Sequence, residues 1–304
     1  MKKTRALWAV ILSACSAGSA LAADLPILKA PPVVPPSPPT WTGFYFGANV
    51  GAVFDASPSV TTSAYPLYND LADQSGLGFG PTYFGSAVAA STPLGGSLSN
   101  VGVIGGGQAG FNWQFGAFLA GVEADVQGST LGSYKNLSGA ALEPTTQALL
   151  TTTSSLNKSL NYLGTVRGRL GYLVTPTLLA FGSGGLAYGG MNFSNALFIS
   201  SANPNFTASA LSAQFNDAKI GWAAGGGLEW MFRPDWSAKV EYLYYDLGAQ
   251  TAAINFAAAP PNGAATLLYS AGYRSSVRFN GHAVRAGVNY HWHWFAPAPV
   301  VAKY

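Results

Sequence analysis

The chain has 304 residues, 13% of them aromatic and only 9% charged, with a mean hydropathy of +0.21. An average soluble domain carries roughly 25% charged residues, so an ordinary cytosolic enzyme is disfavoured, and so is a disordered chain, which needs low hydrophobicity and high net charge. The formal charge is +3, but Lys2, Lys3 and Arg5 sit at the extreme N-terminus. Beyond residue 22 twelve basic and twelve acidic groups cancel, and a nucleic-acid partner, which needs a basic face, is not expected.

Met1 to Arg5 is a positive segment, followed by a short uncharged stretch and the site Ala20-Leu21-Ala22. That order is a secretory signal peptide over residues 1–22. Leu12-Ser13-Ala14-Cys15 also resembles a lipobox, which would make Cys15 a lipidated terminus. With cleavage after Ala22 the exported chain holds no cysteine, hence no disulfide and no thiol chemistry. Leu25 to Pro39 has seven prolines in fifteen residues and reads as an extended tether, spanning residues 23–40.

After residue 23 no run of 18 apolar residues occurs, so a helical membrane span is not expected. The apolar content instead alternates with period 2, which is the strand signature. In chain order, 41–52 sets Phe44, Phe46, Ala48 and Val50 against Tyr45, Gly47, Asn49 and Gly51. Residues 102–114 set Val103, Ala109, Phe111 and Trp113 against Gln108, Gly110, Asn112 and Gln114. The pattern recurs over 117–127, 159–172, 218–232 and 236–246, and from Val284 to Trp294. Residues 177–189 are apolar or Gly on both sides, so their faces stay unassigned. The total is eight strands. Short links near 114–117, 174–177 and 233–236 alternate with long ones of about 53–100, 128–158, 190–217 and 247–278. Short periplasmic turns and long extracellular loops produce this alternation. The expected fold is all-β: an eight-stranded antiparallel up-and-down transmembrane barrel over residues 41–295, with a tail over 296–304.

Trp41, Trp113, Trp230, Trp236, Trp292 and Trp294 fall near strand ends beside a short turn or a terminus, and only Trp222 is nearer the middle. Indole rings favour the lipid–water interface, so the six read as a periplasmic aromatic girdle. The opposite faces of the strands collect Glu123, Asp125, Glu229 and Glu241 with Arg167, Arg169, Lys219, Lys239 and Arg285. On the lipid side a mid-bilayer Arg or Lys would cost about 2–4 kcal/mol. All nine are therefore expected inside, where eight strands leave just enough room for side chains. An ion-pair network that fills the lumen is the leading expectation, with a pore lining as the alternative.

Other motifs lead less far. Gly105, Gly107 and Gly110 match G-x-G-x-x-G, but inside an alternating strand rather than between strand and helix. His291 and His293 share a face, too few ligands for a closed metal site. His282 and the loop carboxylates Asp55, Asp70, Asp73 and Asp217 are the only material for an outer-membrane hydrolase, and no nucleophile–base pair is legible. No catalytic residue, metal or cofactor is assigned. Tyr65, Tyr68, Tyr83, Phe84, Phe198 and Phe206 lie in the long connections, where scattered aromatics suit surface contacts.

Trp41-Thr42-Gly43-Phe44-Tyr45-Phe46-Gly47-Ala48-Asn49-Val50-Gly51 resembles the opening strand of the small outer-membrane β-barrels of α-proteobacterial surface antigens. These are the outer membrane immunogenic or porin-family proteins, related to opacity-type and OmpA-type barrels. The segments 121–125, 184–188, 226–230, 240–244 and 284–290 are similar to that family too, as is the Ala-Asp-Leu-Pro start at Ala23. The resemblance implies an integral protein of a Gram-negative outer membrane, without catalytic residues, exposed to host or environment. Its partners would be outer-membrane lipid and lipopolysaccharide, the assembly machinery, and surfaces met by the loops. Members commonly end on an aromatic residue that closes the last strand, whereas Ala296 to Tyr304 follow Phe295 here. Three functions remain open: a structural or adhesive surface antigen, a narrow porin, and an outer-membrane enzyme.

Overall fold

The computed structural model describes residues 40–66, 89–93, 95–142, 147–202, 208–258 and 269–292. The signal peptide, Cys15, the tether up to Pro39, Asp70, Asp73, Tyr68, Tyr83, Phe84, Phe206, His293, Trp294 and the tail lie outside them. Among the described residues ten strands follow one another: β1 (Gly43–Asp55), β2 (Ser59–Pro66), β3 (Gly95–Ser97), β4 (Val101–Phe115), β5 (Phe118–Leu142), β6 (Leu149–Thr175), β7 (Leu178–Ser201), β8 (Ser209–Arg233), β9 (Trp236–Ala258) and β10 (Tyr269–Trp292). Eight of them close an antiparallel ring in the order β1-β4-β5-β6-β7-β8-β9-β10, with β10 back on β1. Closure leaves no unpaired strand edge within the ring, which is what a β-protein in lipid requires. The turns at Gly116–Ala117, Pro176–Thr177 and Pro234–Asp235 match the three short links.

Alternation along each strand separates two surfaces. Phe44, Val50, Val122, Val166, Leu170, Leu186, Ile220, Leu228, Val240, Val284 and Val288 point outward. Tyr45, Asn49, Gln108, Asn112, Glu123 and Arg167 point inward and are buried. For β7, whose faces the composition left open, Leu179, Phe181 and Ala187 face in while Leu186 and Tyr188 face out. The three glycines of the G-x-G-x-x-G match lie within β4.

The long extracellular connections are corrected by the structure: most of their residues continue the strands. β5 runs on to Leu142, β6 starts at Leu149, β7 reaches Ser201, β8 starts at Ser209, β9 reaches Ala258 and β10 starts at Tyr269. In the first connection β2 extends the line of β1 along β10, with Asp55 opposite Gly281 and Val60 opposite Val277. β3 pairs with β2 just before β4 begins. Ser57 N–H donates to Asp55 Oδ1 (3.1 Å), which shapes the break between β1 and β2.

Above the ring the wall parts. β8 pairs with β9 only from Trp222 opposite Asp246 to Arg233 opposite Trp236, and beyond Trp222 it keeps only β7 among the described residues. Two sheets result, β5-β6-β7-β8 on one side and β9-β10-β2-β3 on the other. Apolar side chains fill the space between them: Leu156, Leu160, Met191 and Phe193 from the first, Val60, Ala252, Val277 and Phe279 from the second. Leu150, Leu197, Ile199, Ile254, Ala271 and Tyr273 form a second cluster. The strands thus cross the membrane as a barrel and continue as a sandwich.

The parting is built into β9. Between the pairs Asp246–Asn280 and Ala249–Arg278, Leu247 and Gly248 stand opposite the single residue Phe279, which is a bulge. Gly248 occupies it at φ 86°, its N–H donating to Asp246 Oδ1 (2.9 Å), while Arg278 Nη2 donates to Asp246 Oδ2 (2.5 Å). A residue with a Cβ at that φ is strained by about 1–2 kcal/mol. Gly248→Val should therefore lower the stability of the folded barrel by that order, measured as a shift in denaturant unfolding from lipid vesicles.

Candidate functional site

The inward-facing polar residues converge on one level of the ring. Register alone places Glu123 opposite Arg167, Glu241 opposite Arg285 and Glu229 opposite Lys239. Opposite charges directly across a strand pair stabilise that pairing. Arg167 is the hub. Its Nη2 meets Glu123 Oε1 (2.7 Å) and Asp125 Oδ2 (3.0 Å), its Nη1 meets Glu241 Oε1 (2.5 Å) and Ser183 Oγ (2.7 Å), and its Nε donates to Thr165 Oγ1 (2.9 Å). An arginine has five N–H donors, and here each has an acceptor.

Around the hub, Arg285 donates from Nε to Glu241 (2.8 Å) and from Nη2 to Asp125 (2.8 Å). Lys239 Nζ reaches both oxygens of Glu123 (3.0 and 2.9 Å). Arg169 pairs with Glu229 and lies over the Phe181 ring, 3.9 Å from its centroid. Glu229 Oε1 also accepts from Ser237 Oγ (2.5 Å) and Asn289 Nδ2 (2.7 Å). Tyr45 O–H donates to Glu123 Oε2 (2.7 Å), and Asn49, Gln108 and Asn289 continue the chain of hydrogen bonds. All eight strands of the ring contribute at least one member.

Eight of the nine expected charges stand in this belt: Glu123, Asp125, Arg167, Arg169, Glu229, Lys239, Glu241 and Arg285, all at most 5% exposed. Lys219 does not join them. It shares the inward parity of Glu229, but the level of Glu241 is that of Gly227, eight residues nearer the ring than Lys219. At about 3.3 Å per residue that puts it on the order of 25 Å along the strand. Without Lys219 the belt holds four acids and four bases, and its formal charge is zero.

Trp41 is a second correction. It is 1% exposed and lies inside the mouth of the ring at its short-turn end, with its indole N–H on Pro176 O (3.1 Å) and its ring edge-on to His291 at 5.6 Å. Leu119, Leu173, Leu179, Phe181 and Met231 cluster with it. Its sequence parity is that of Tyr45 and Asn49, the inward face, and this signal outweighs its nearness to a strand end. Trp113, Trp230, Trp236 and Trp292 are about half exposed on the outer surface at the same end, and Trp294 lies outside the described residues. Trp222, about half exposed, meets Tyr244 at 5.3 Å at the opposite border of the apolar band.

The belt lies between apolar layers, the Trp41 cluster below and Val53, Ile104, Leu163, Ala187, Ala223, Leu243 and Ala283 above. Neither the inner apolar layer nor the core between the two sheets above it is among the expectations from the sequence. Higher still, Lys158 Nζ pairs with Asp55 Oδ2 (2.6 Å) and donates to Ser57 O (3.1 Å). This occupies Asp55, one of the loop carboxylates considered above. His282 lies on the outer surface, its Nδ1 2.6 Å from Tyr242 Oη. Asp217 is exposed on β8. His291 faces inward with Nε2 2.8 Å from Ser237 Oγ.

A closed ring of eight antiparallel strands, apolar outside and polar within, defines an integral outer-membrane β-barrel. The 31 kDa outer-membrane immunogenic proteins of Brucella melitensis biotype 1 and Brucella suis biovar 1 are each 30% identical over 284 residues, covering 92% of this chain and 96% of theirs. The chain belongs to that family of outer-membrane immunogenic proteins and resides in the outer membrane of a Gram-negative cell. No protein-family model matches it. Among solved structures it is similar to outer membrane protein OprG from Pseudomonas aeruginosa, with 11% identity, 83% of this chain and 97% of that one covered, and a TM-score of 0.37. It is also similar to Neisserial surface protein A, with 12% identity, 83% and 98% covered, and a TM-score of 0.26.

Arg167→Ala takes one cationic partner from each of three buried carboxylates and leaves the belt one positive charge short, which should cost about 3–5 kcal/mol of stability, whereas Lys219→Ala should change it by less than about 0.5 kcal/mol. Denaturant unfolding in vesicles, followed by tryptophan fluorescence, separates the two. Burial pulls the Lys158 amine below its ordinary value, although Asp55 pushes it back. The unfolded chain then binds that proton more tightly, so the site grows more favourable as pH climbs toward about 10.4. The stability difference between wild type and Lys158→Met should shift in favour of wild type over that alkaline range.

Proposed function

We propose that this protein is a non-catalytic, non-conducting surface scaffold: a barrel sealed by its own side chains that holds a β-structured platform above the membrane. The observation that carries this reading is the belt around Arg167. Its charges are neutral in sum, buried, and committed to one another. A permeation path needs mobile water and charges that can exchange partners with a passing ion, and the belt offers neither. The apolar layers on both sides of it add to the barrier. In this reading the platform above the membrane makes the protein's contacts with other surfaces. The barrel itself meets outer-membrane lipid and lipopolysaccharide and is inserted by the assembly machinery, with no cofactor.

The narrow porin is the competing reading, because the same charges would line a pore if the belt opened. Planar-bilayer recording of the refolded chain decides between them. Folded wild type should give no unitary steps. Steady steps whose size shifts in Arg167→Ala would overturn the scaffold and establish the pore.

A further inference from the structure

Above the membrane the outer face of sheet β5-β6-β7-β8 carries a hollow of about 480 Å³, within the size range of small-ligand sites. Asn157 of β6, Asn192 and Ser194 of β7, and Gln214 and Asn216 of β8 line it, together with Phe193 and Phe215. Register sets them side by side: Asn157 opposite Ser194, Ser194 opposite Gln214, Asn192 opposite Asn216. The Phe193 and Phe215 rings stack on each other at 5.5 Å and belong to the core between the sheets. The wall presented to the outside is therefore four amides and one hydroxyl.

Three features point to a ligand class. Among the described residues no charged side chain lines the hollow, which disfavours a phosphate, a sulfate or a cation. Its polar groups are uncommitted: among the described residues no hydrogen bond uses these five side chains, and Asn192 Oδ1 is a buried acceptor without a partner. On the inner face of the same sheet the equivalent groups are bonded, Ser154 Oγ to Asn195 Oδ1 at 2.8 Å and Asn195 Nδ2 to Ser275 Oγ at 2.9 Å. The third feature is an aromatic shelf. The Tyr162 ring lies against Gly190, two residues to the membrane side of Asn192, so closely that a Cβ on Gly190 would collide with it. Tyr188 lies likewise against Gly164, and both tyrosines are 37% exposed.

We propose that this hollow binds an uncharged saccharide. Sugar hydroxyls both donate and accept, and an amide offers two donors and an acceptor with two lone pairs. The C–H face of a pyranose ring matches the apolar face of a tyrosine whose hydroxyl stays wet. The height fits as well, because Tyr162, Tyr188 and Trp222 mark the outer border of the apolar band and the hollow opens directly above them. Hexoses at that level have two sources: the core of a glycolipid in the same leaflet, or a glycan from outside the cell. The inference rests on the reading that the platform makes the contacts, and it is independent of whether the lumen conducts.

The test uses the full folded chain in detergent micelles, probed with fluorescein-labelled maltohexaose and lacto-N-tetraose, and with sialyllactose and a sulfated oligosaccharide as acidic comparators. A second arm places the chain in lipopolysaccharide vesicles whose core either keeps or lacks its hexoses. Binding of a neutral glycan, or a response confined to the hexose-bearing core, is the expected result, and which of the two occurs identifies the source. Asn192→Ala with Gln214→Ala should weaken it at least about tenfold, the worth of one or two hydrogen bonds, and Tyr162→Ala should weaken it too. Phe198→Ala, which lies outside the hollow, should leave it unchanged. A retained heat-dependent gel shift shows that each variant is folded. Binding that survives the Asn192/Gln214 double variant, that is confined to the acidic comparators, or that is absent both from every neutral probe and from the hexose-bearing core overturns the saccharide site. A silent bilayer beside such a failure leaves the scaffold reading standing, so the two ideas fail separately.

Discussion

The structure depends on how an eight-stranded ring fills its own interior. Such a ring is too narrow to hold bulk water and too wide to close without side chains. This chain meets that constraint with charge. Arg167 places one planar cation among three carboxylates, two on the adjacent strand β5 and one across the ring on β9, and its fifth donor is taken by Thr165. Isolated, any one of these ions would be costly to bury; together they form a set in which each group satisfies another. Directional bonds of this kind also discriminate between registers. A slip of one residue turns every inward side chain of that strand toward lipid, and in β5, β6 or β9 it would expose two charges of the belt to hydrocarbon.

The polarity of the strands inverts where they leave the membrane. Along β10, Val284, Val288 and Trp292 face outward within the ring, while Ala271, Tyr273, Val277 and Phe279 face inward above it. Along β7, Leu186 is outward, while Met191, Phe193, Leu197 and Ile199 are inward. Each solvent dictates its own arrangement: lipid takes the apolar face below, and water drives that face between two sheets above. The Asp246–Gly248 bulge is where geometry accommodates the change, since a wall that must flatten into two facing sheets has to part somewhere.

That inversion explains what was legible in the sequence and what was not. The eight ring strands were readable because the apolar phase is constant over ten or so residues and short turns separate the pairs. Above the membrane the phase switches, as between Tyr188 and Met191, or slips at the β6 irregularity between Leu160 and Tyr162. Ser and Thr also occupy both faces there, as in Thr151 to Ser155, so a strand looks like a loop. The members of the belt were legible by parity, but their level was not. Lys219 has the right parity at the wrong height, and height depends on register between strands, which one sequence does not display. Trp41 shows the converse: its position near a strand end pointed to the girdle, while its parity pointed correctly to the lumen.

Separating the two halves of each strand also separates their constraints. The ring must keep its belt neutral and its outer face apolar, so a change there touches several partners at once. The outer face of the platform carries no such obligation: Asn157, Asn192, Ser194, Gln214 and Asn216 can each be altered without unsatisfying a neighbour. What the platform must keep is the alternation beneath, with Phe193 and Phe215 turned inward to hold the two sheets together. Every second residue is thereby fixed by packing and every other one is left to the surroundings. A sheet divided in this way keeps its packing on one face and leaves the chemistry of the other free to vary.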